Sequence, residues 1–374
     1  MTQTLGLEKL DADGARRFHH VPGLDGIRAV AVLFVIGLHF GSIWADKRPG
    51  GLLPGGYAGV DIFFVLSGFL ITTLLVGEKA GTGGVGFKKF YARRGLRLLP
   101  ALYTVLVAHT IYTLWTGGSM RTEAKEVAAV VLYVANFAQI YRIRAMITSG
   151  IGMTWSLAIE EQFYLIWPAL LVLGVLRQAR TRNAVLWTIG AGIVASALIR
   201  LAIWNWGSGY PAAYMRPDAR ADGLLIGALC AFLWRWDLVP TRWLSQAAVV
   251  SAAFLVFVAL FVKSGDFVFD GGFTLISAAA GVIILAIVLR VSPLVGPMEW
   301  SPLRTIGKVS YGLYLWHGLA LRVAAHALQG HTHSRFVLAF AAAVIMTVAV
   351  TLSWVLIEQP FLRLKRRVAS PVPH

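Results

Sequence analysis

From Leu24 almost to its end the chain alternates long apolar runs with short polar connections. Ten stretches, 24–44, 57–76, 98–115, 152–176, 184–206, 222–236, 243–262, 273–289, 306–328 and 336–357, read as helices that cross a membrane. Runs of about 18 to 25 apolar residues can span a hydrocarbon core roughly 30 Å thick. The alternating ten-residue pattern of a membrane β-barrel is missing. Residues 127–140 form a shorter apolar piece, expected to be interfacial or re-entrant. The pattern therefore predicts an all-α polytopic bundle of about ten transmembrane helices, with one membrane domain over residues 21–362. An N-terminal tail covers 1–20 and a basic C-terminal tail 363–374.

Composition agrees and narrows the class. The 374 residues are 57% hydrophobic and 14% charged, whereas soluble domains carry about a quarter charged residues. A soluble globule and a disordered chain are thereby excluded, and the single cysteine excludes a disulfide scaffold. The net charge of +16 lies in short clusters between apolar spans, with no polar domain to hold a duplex, so no nucleic-acid partner is expected. Ten crossings with both termini cytoplasmic place 21 of the 34 Lys and Arg residues on the inner side and ten on the outer. That asymmetry follows the positive-inside rule and sets the orientation.

Charged side chains in a membrane helix cost roughly 2.5 to 3.5 kcal/mol each, so each needs a partner or a purpose. The first span holds Asp25, Arg28 and His39; the latter two share a helix face about 16 Å apart along the axis. The fourth opens with TWSLAIEEQFYLIWP, which puts Ser156, Glu160 and Tyr164 on one stripe. Glu160 and His39 come to similar depth, so they are expected to meet as an orienting carboxylate and a general base. Packing histidines and an interfacial Glu are the plainer reading of the same residues. Asp61 and Ser67 lie in the second span, where no G-x-S-x-G elbow supports a serine nucleophile. Arg220, Asp222 and His317 are further polar site candidates, with ion pairing or interhelical bonding as the alternative. Gly223 and Gly227 make a small-xxx-small pair suited to helix packing. His331 and His333 lack nearby ligands, so no metal site is expected. Lys88, Lys89, Arg93, Arg94 and Arg97 precede Pro100 in FKKFYARRGLRLLP. Such a cluster retains a loop in the cytoplasm, and Arg94 with Arg97 also suits a phosphate-bearing ligand, with Arg28 adding to the mouth.

These motifs together, R-x10-H from Arg28 to His39, GVDIFFVLSGFLI, ARRGLRLLP, WSLAIEEQFYLIWP, RADGLLIGAL and IGKVSYGLYLWH, followed by EQP at Glu358 to Pro360, resemble the acyltransferase-3 family of integral membrane acyltransferases. The resemblance covers nearly the whole chain. It implies transfer of an acyl group, usually acetyl, from cytoplasmic acyl-CoA to a hydroxyl of a carbohydrate, glycolipid or glycosylated secondary metabolite. It implies His39 as catalytic base, Ser156 and Glu160 as functional, and Arg28, Arg93, Arg94 and Arg97 as binding acyl-CoA. It further implies a bacterial inner membrane. Some relatives carry a fused SGNH-type esterase domain, which is not expected in this chain. The alternatives are a transporter or flippase of a sugar-lipid or anionic metabolite, against which the lack of an internal repeat speaks, and a different membrane O-acyltransferase centred on His317.

Overall fold

The computed structural model describes residues 18–44, 51–141, 149–176, 181–331 and 334–369, with side chains to residue 364. Residues 1–17 of the expected N-terminal tail, 370–374 of the C-terminal one, and the basic residues Lys47, Arg48, Arg142, Arg144, Arg177 and Arg180 lie outside the described residues, as does His333. Among the described residues there are helices and no strand.

All ten apolar stretches are helical: α1 (Gly23–Gly41), α2 (Ala58–Thr82), α3 (Phe87–Trp115), α6 (Trp155–Ala169), α7 (Arg182–Trp206), α8 (Pro217–Arg235), α9 (Leu244–Phe261), α10 (Phe273–Val288), α12 (Ser310–Ala327) and α13 (Arg335–Ser353). The shorter α4 (Met120–Val131), α5 (Ala135–Ile140), α11 (Ser301–Lys308) and α14 (Gln359–Ala369) connect or flank them. Eight helices are long and apolar enough to cross a membrane among the described residues. Two of the ten expected spans, α8 and α12, fall outside that set. Their polar residues are the reason: Asp218, Arg220, Asp222 and Arg235 in α8, and His317, Arg322 and His326 in α12. The doubtful segment 127–140 is broken between α4 and α5, with Tyr133 at positive φ in the break. The 12 residues of α4 rise only about 18 Å, too little for a crossing.

Local sequence sets several of these boundaries. Gly83 ends α2 in the left-handed conformation, φ 73°, which a side chain would disfavour. Ser119 caps α4 by accepting from the Thr122 amide, and Thr181 caps α7 by accepting from that of Ala184. Pro168 lies in the last turn of α6, and the helix widens immediately afterwards into a π-helical stretch, Leu170–Val175.

The core is centred on α2, which packs against α8, α1 and α10. Gly68 faces the Leu224 carbonyl and Gly227 faces the Val65 carbonyl, so a methyl group at either would collide with backbone. Gly223 lies against Phe64, and a Cβ there would come within 3.3 Å of it. These close approaches bring Asp61 on α2 to Arg220 on α8, Oδ1 to Nη2 2.7 Å, with both side chains buried. The Arg220 guanidinium also lies over the Phe273 ring, 3.6 Å from its centroid. Arg200 on α7 pairs with Asp222 at 2.7 Å and donates to Thr274 at 2.6 Å, which fastens α7 and α10 to α8. Away from these contacts Val250, Leu198 and Phe340 are exposed, an outer surface matched to lipid.

Removing one member of a buried ion pair strands the other and costs about 3 to 5 kcal/mol. Asp61→Ala should therefore lower the thermal unfolding midpoint in detergent sharply. The double variant Asp61→Ala/Arg220→Met should recover much of the loss, because no charge is left unpaired.

Candidate active site

A cavity of about 150 Å³ opens between α1, α2, α3, α6 and α12. Arg28, Arg94 and Arg97 line one region of it, and Ser67, Glu160, Glu161 and Tyr164 line its wall. Leu66, Leu70, Leu98 and Leu157 make the rest largely apolar, and Ser156 and Tyr314 add hydroxyl groups. Residues expected from four separate motifs thus share one space.

The arginines differ in what holds them. Arg94 binds Glu161 through Nε at 3.0 and 3.2 Å and Nη2 at 2.7 Å, and its guanidinium lies 3.2 Å from the Tyr164 ring centroid. Arg28 donates to Asp25 at 3.0 Å, and Asp25 also contacts His20 at 3.2 Å. Arg93 turns to Glu78 at 3.5 Å and is not in the cavity wall. Arg97 faces the cavity with no hydrogen bond or ion pair among the described residues. A bidentate, ring-stacked guanidinium is committed to structure, whereas a free one is available to an anion.

Ser156 and Glu160, adjacent on one helical stripe, reach different neighbours. The Ser156 hydroxyl bonds to the Tyr314 hydroxyl at 2.6 Å, and Tyr314 also donates to the Met153 carbonyl at 2.8 Å. Glu160 accepts from Ser67 at 3.2 Å. It shares no hydrogen bond with His39, so the expected His39–Glu160 pair is not formed. His39 instead packs against His317, ring centroids 4.8 Å apart, outside the cavity wall. His39 Nδ1 is 2.8 Å from the Val35 carbonyl and His317 Nδ1 is 2.6 Å from the Tyr314 carbonyl. A carbonyl only accepts, so each Nδ1 carries the proton and each Nε2 is left as the basic atom. His317 is fully buried, and its Nε2 has no hydrogen-bond partner among the described residues.

Asp61, Arg220 and Asp222 are drawn into the buried pairs that join α2, α7 and α8, and none lines the cavity. Glu161, Tyr311 and Tyr314 do line it, though the motifs do not single them out. The i, i+3 spacing from Tyr314 to His317 was the available signal, since it puts both on one face of α12.

An acyltransferase-domain model of the acyltransferase-3 family matches residues 21–358, and the chain belongs to that family. The peptidoglycan O-acetyltransferase OatA of Listeria monocytogenes is 34% identical over 312 residues, covering 80% of this chain and 49% of its own length. The Bacillus subtilis protein YrhL, provisionally named as a peptidoglycan O-acetyltransferase, is 34% identical over 317 residues, covering 80% and 48%. A Staphylococcus aureus (strain COL) protein provisionally named as an O-acetyltransferase is 34% identical over 333 residues, covering 85% and 52%. The chain spans about half the length of these curated relatives. No solved structure matches it.

Arginines in different roles should respond differently to Lys. Arg94→Lys loses the two-pronged contact with Glu161 and should destabilise the fold by about 1.5 to 3 kcal/mol. Arg97→Lys should leave the unfolding midpoint near wild type, since Arg97 holds no partner. Thermal unfolding of the two purified variants checks the contrast.

Proposed function

We propose that the protein is a membrane O-acetyltransferase that moves an acetyl group from acyl-CoA to a hydroxyl of a carbohydrate acceptor. The observation that carries this reading is the free guanidinium of Arg97 at a partly apolar cavity whose Tyr314 lies one helical turn from the His39–His317 pair. The relatives' names point to an acceptor of the peptidoglycan kind. Both termini are assigned to the cytoplasm of a bacterial inner membrane, which puts Arg97 on the cytoplasmic side, where acyl-CoA is found.

The residues suit such a donor. Arg97, with Arg28 beside it, would hold phosphate groups, and the leucine-lined walls suit a slender apolar-tolerant arm. An acyl-CoA supplies an activated thioester when bound. Arg94 contributes indirectly, by fixing Glu161 and Tyr164 in the wall.

His39 is the general base in this reading. Its Nδ1 proton is engaged by Val35, so Nε2 accepts the proton of the acceptor hydroxyl as that oxygen attacks the acyl carbon. The carbon–sulfur bond then breaks, and the same Nε2 returns the proton to the departing sulfur. His317 packs against the His39 ring, and the Val35 carbonyl fills the orienting role expected of Glu160. Glu160 and Ser67 brace the wall between α6 and α2, and Ser156 with Tyr314 sets hydroxyl groups near the reacting end.

Purified protein supplied with acetyl-CoA and peptidoglycan fragments should release CoA only when the acceptor is present. General acid–base catalysis contributes about 10² to 10⁴-fold, so His39→Ala should lower turnover by that range with donor affinity retained. Arg97→Ala should weaken acetyl-CoA binding. Wild-type protein that is folded but binds no acetyl-CoA would refute the assignment.

A further inference from the structure

A second polar cluster lies on α3 at the end remote from the arginines. His109 is twelve residues beyond Arg97, about 18 Å along the helix axis. It is 3% exposed, although it sits in an apolar run. Its Nδ1 is 3.0 Å from Glu123 Oε1, on α4. Thr110 donates to the same oxygen at 2.9 Å, and Thr113 to Glu123 Oε2 at 2.8 Å. Glu126, one turn further along α4, is also buried, at 4% exposure, and bonds to Ser149.

Nitrogen or oxygen atoms from His109, Glu123 and Glu126 all lie within 4.8 Å of one another. A cavity of about 230 Å³ opens onto them, with Tyr112, Thr122 and Arg322 also in its wall. The His109 side chain lines this cavity together with Glu123 and Glu126. Two carboxylates three residues apart on one helix face are thus buried beside an imidazole.

Opposed needs meet here. Both carboxylates favour a nearby positive charge, and the imidazole offers a lone pair, a combination that a proton satisfies only in part. One imidazole and two carboxylates form a donor set suited to zinc and neighbouring divalent transition metals, whereas magnesium and calcium favour oxygen alone. Thr110 and Thr113, which hold both Glu123 oxygens, act as the outer groups that orient a metal-binding carboxylate.

We propose that His109, Glu123 and Glu126 form a binding site for a divalent transition-metal cation of the zinc type, with the cavity side left open to water or a substrate oxygen. This site departs from the expectation of no metal, which was argued from His331 and His333 alone. It joins α3 to α4 and does not depend on the acetyl-transfer reading.

The test uses the full chain in detergent, stripped with a chelator and titrated with zinc and then with cobalt(II) as a spectroscopic probe. One zinc per chain is expected, together with visible cobalt absorption from a site of low coordination number. His109→Gln and Glu126→Gln should each weaken zinc binding by at least about ten-fold, while the metal-free variants elute as wild type. Glu126→Gln keeps the test decisive if His109→Gln does not fold. Absence of stoichiometric zinc binding by folded wild type would overturn the proposal, as would undiminished binding in the folded variants. Preference for magnesium or calcium over zinc would overturn the assigned class.

Discussion

The arrangement of the bundle depends on one contact, the buried pair of Asp61 and Arg220. Neither charge can be left alone in a medium that solvates it poorly, so α2 and α8 must lie close enough for direct contact. Glycine permits that approach, because Gly68 and Gly227 leave the opposing carbonyls unobstructed. The remaining surface of the guanidinium is covered by Phe273 of α10, and Arg200 with Asp222 extends the same linkage to α7. With α2 fixed on one side by charge, its Ser67 is presented to Glu160 on the other. The cavity wall is therefore a consequence of ion pairing elsewhere in the helix.

The same demand for partners separates basic residues that build from those that remain available. Arg94 satisfies Glu161 and covers Tyr164, Arg93 reaches Glu78, and Arg28 holds Asp25. Arg97 alone of the four has no such commitment among the described residues. The three arginines of the α3 cluster thus reduce to one free guanidinium, with Arg28 of α1 close to it in the same wall. Binding an anion there restores charge balance without breaking a structural pair, which is an economical place for a phosphate-bearing substrate.

Axial information was legible in the sequence; angular information was not. The ten apolar runs all form helices, since their length and hydropathy are properties of the chain itself. Arg28 and His39 could be assigned to one face because helix geometry fixes their relation. Glu160 and His39 lie on different helices, and similar depth does not say which faces turn together. The third helix that intervenes, α12, brings His317 to His39 and Tyr314 to Ser156. The cluster at His109, Glu123 and Glu126 was hidden for a related reason. Its members come from an apolar span and a separate short helix, and only the turn between α3 and α4 brings them together.

Between the two polar cavities α3 is apolar and packed. Ala101, Leu102, Val105 and Leu106 are buried against Ala129, Val130 and Leu315. No chain of titratable side chains on α3 connects Arg97 to His109 across this stretch. α12 is different, because Tyr314 lines the first cavity, His317 meets His39, and Arg322 lines the second. His317 and Arg322 are only five residues apart, about 8 Å of helix rise. One helix therefore carries side chains of both cavities and of the His39 contact. Because His317 is enclosed and holds its backbone contact to Tyr314, even a small shift of α12 would alter how the His39 ring is supported.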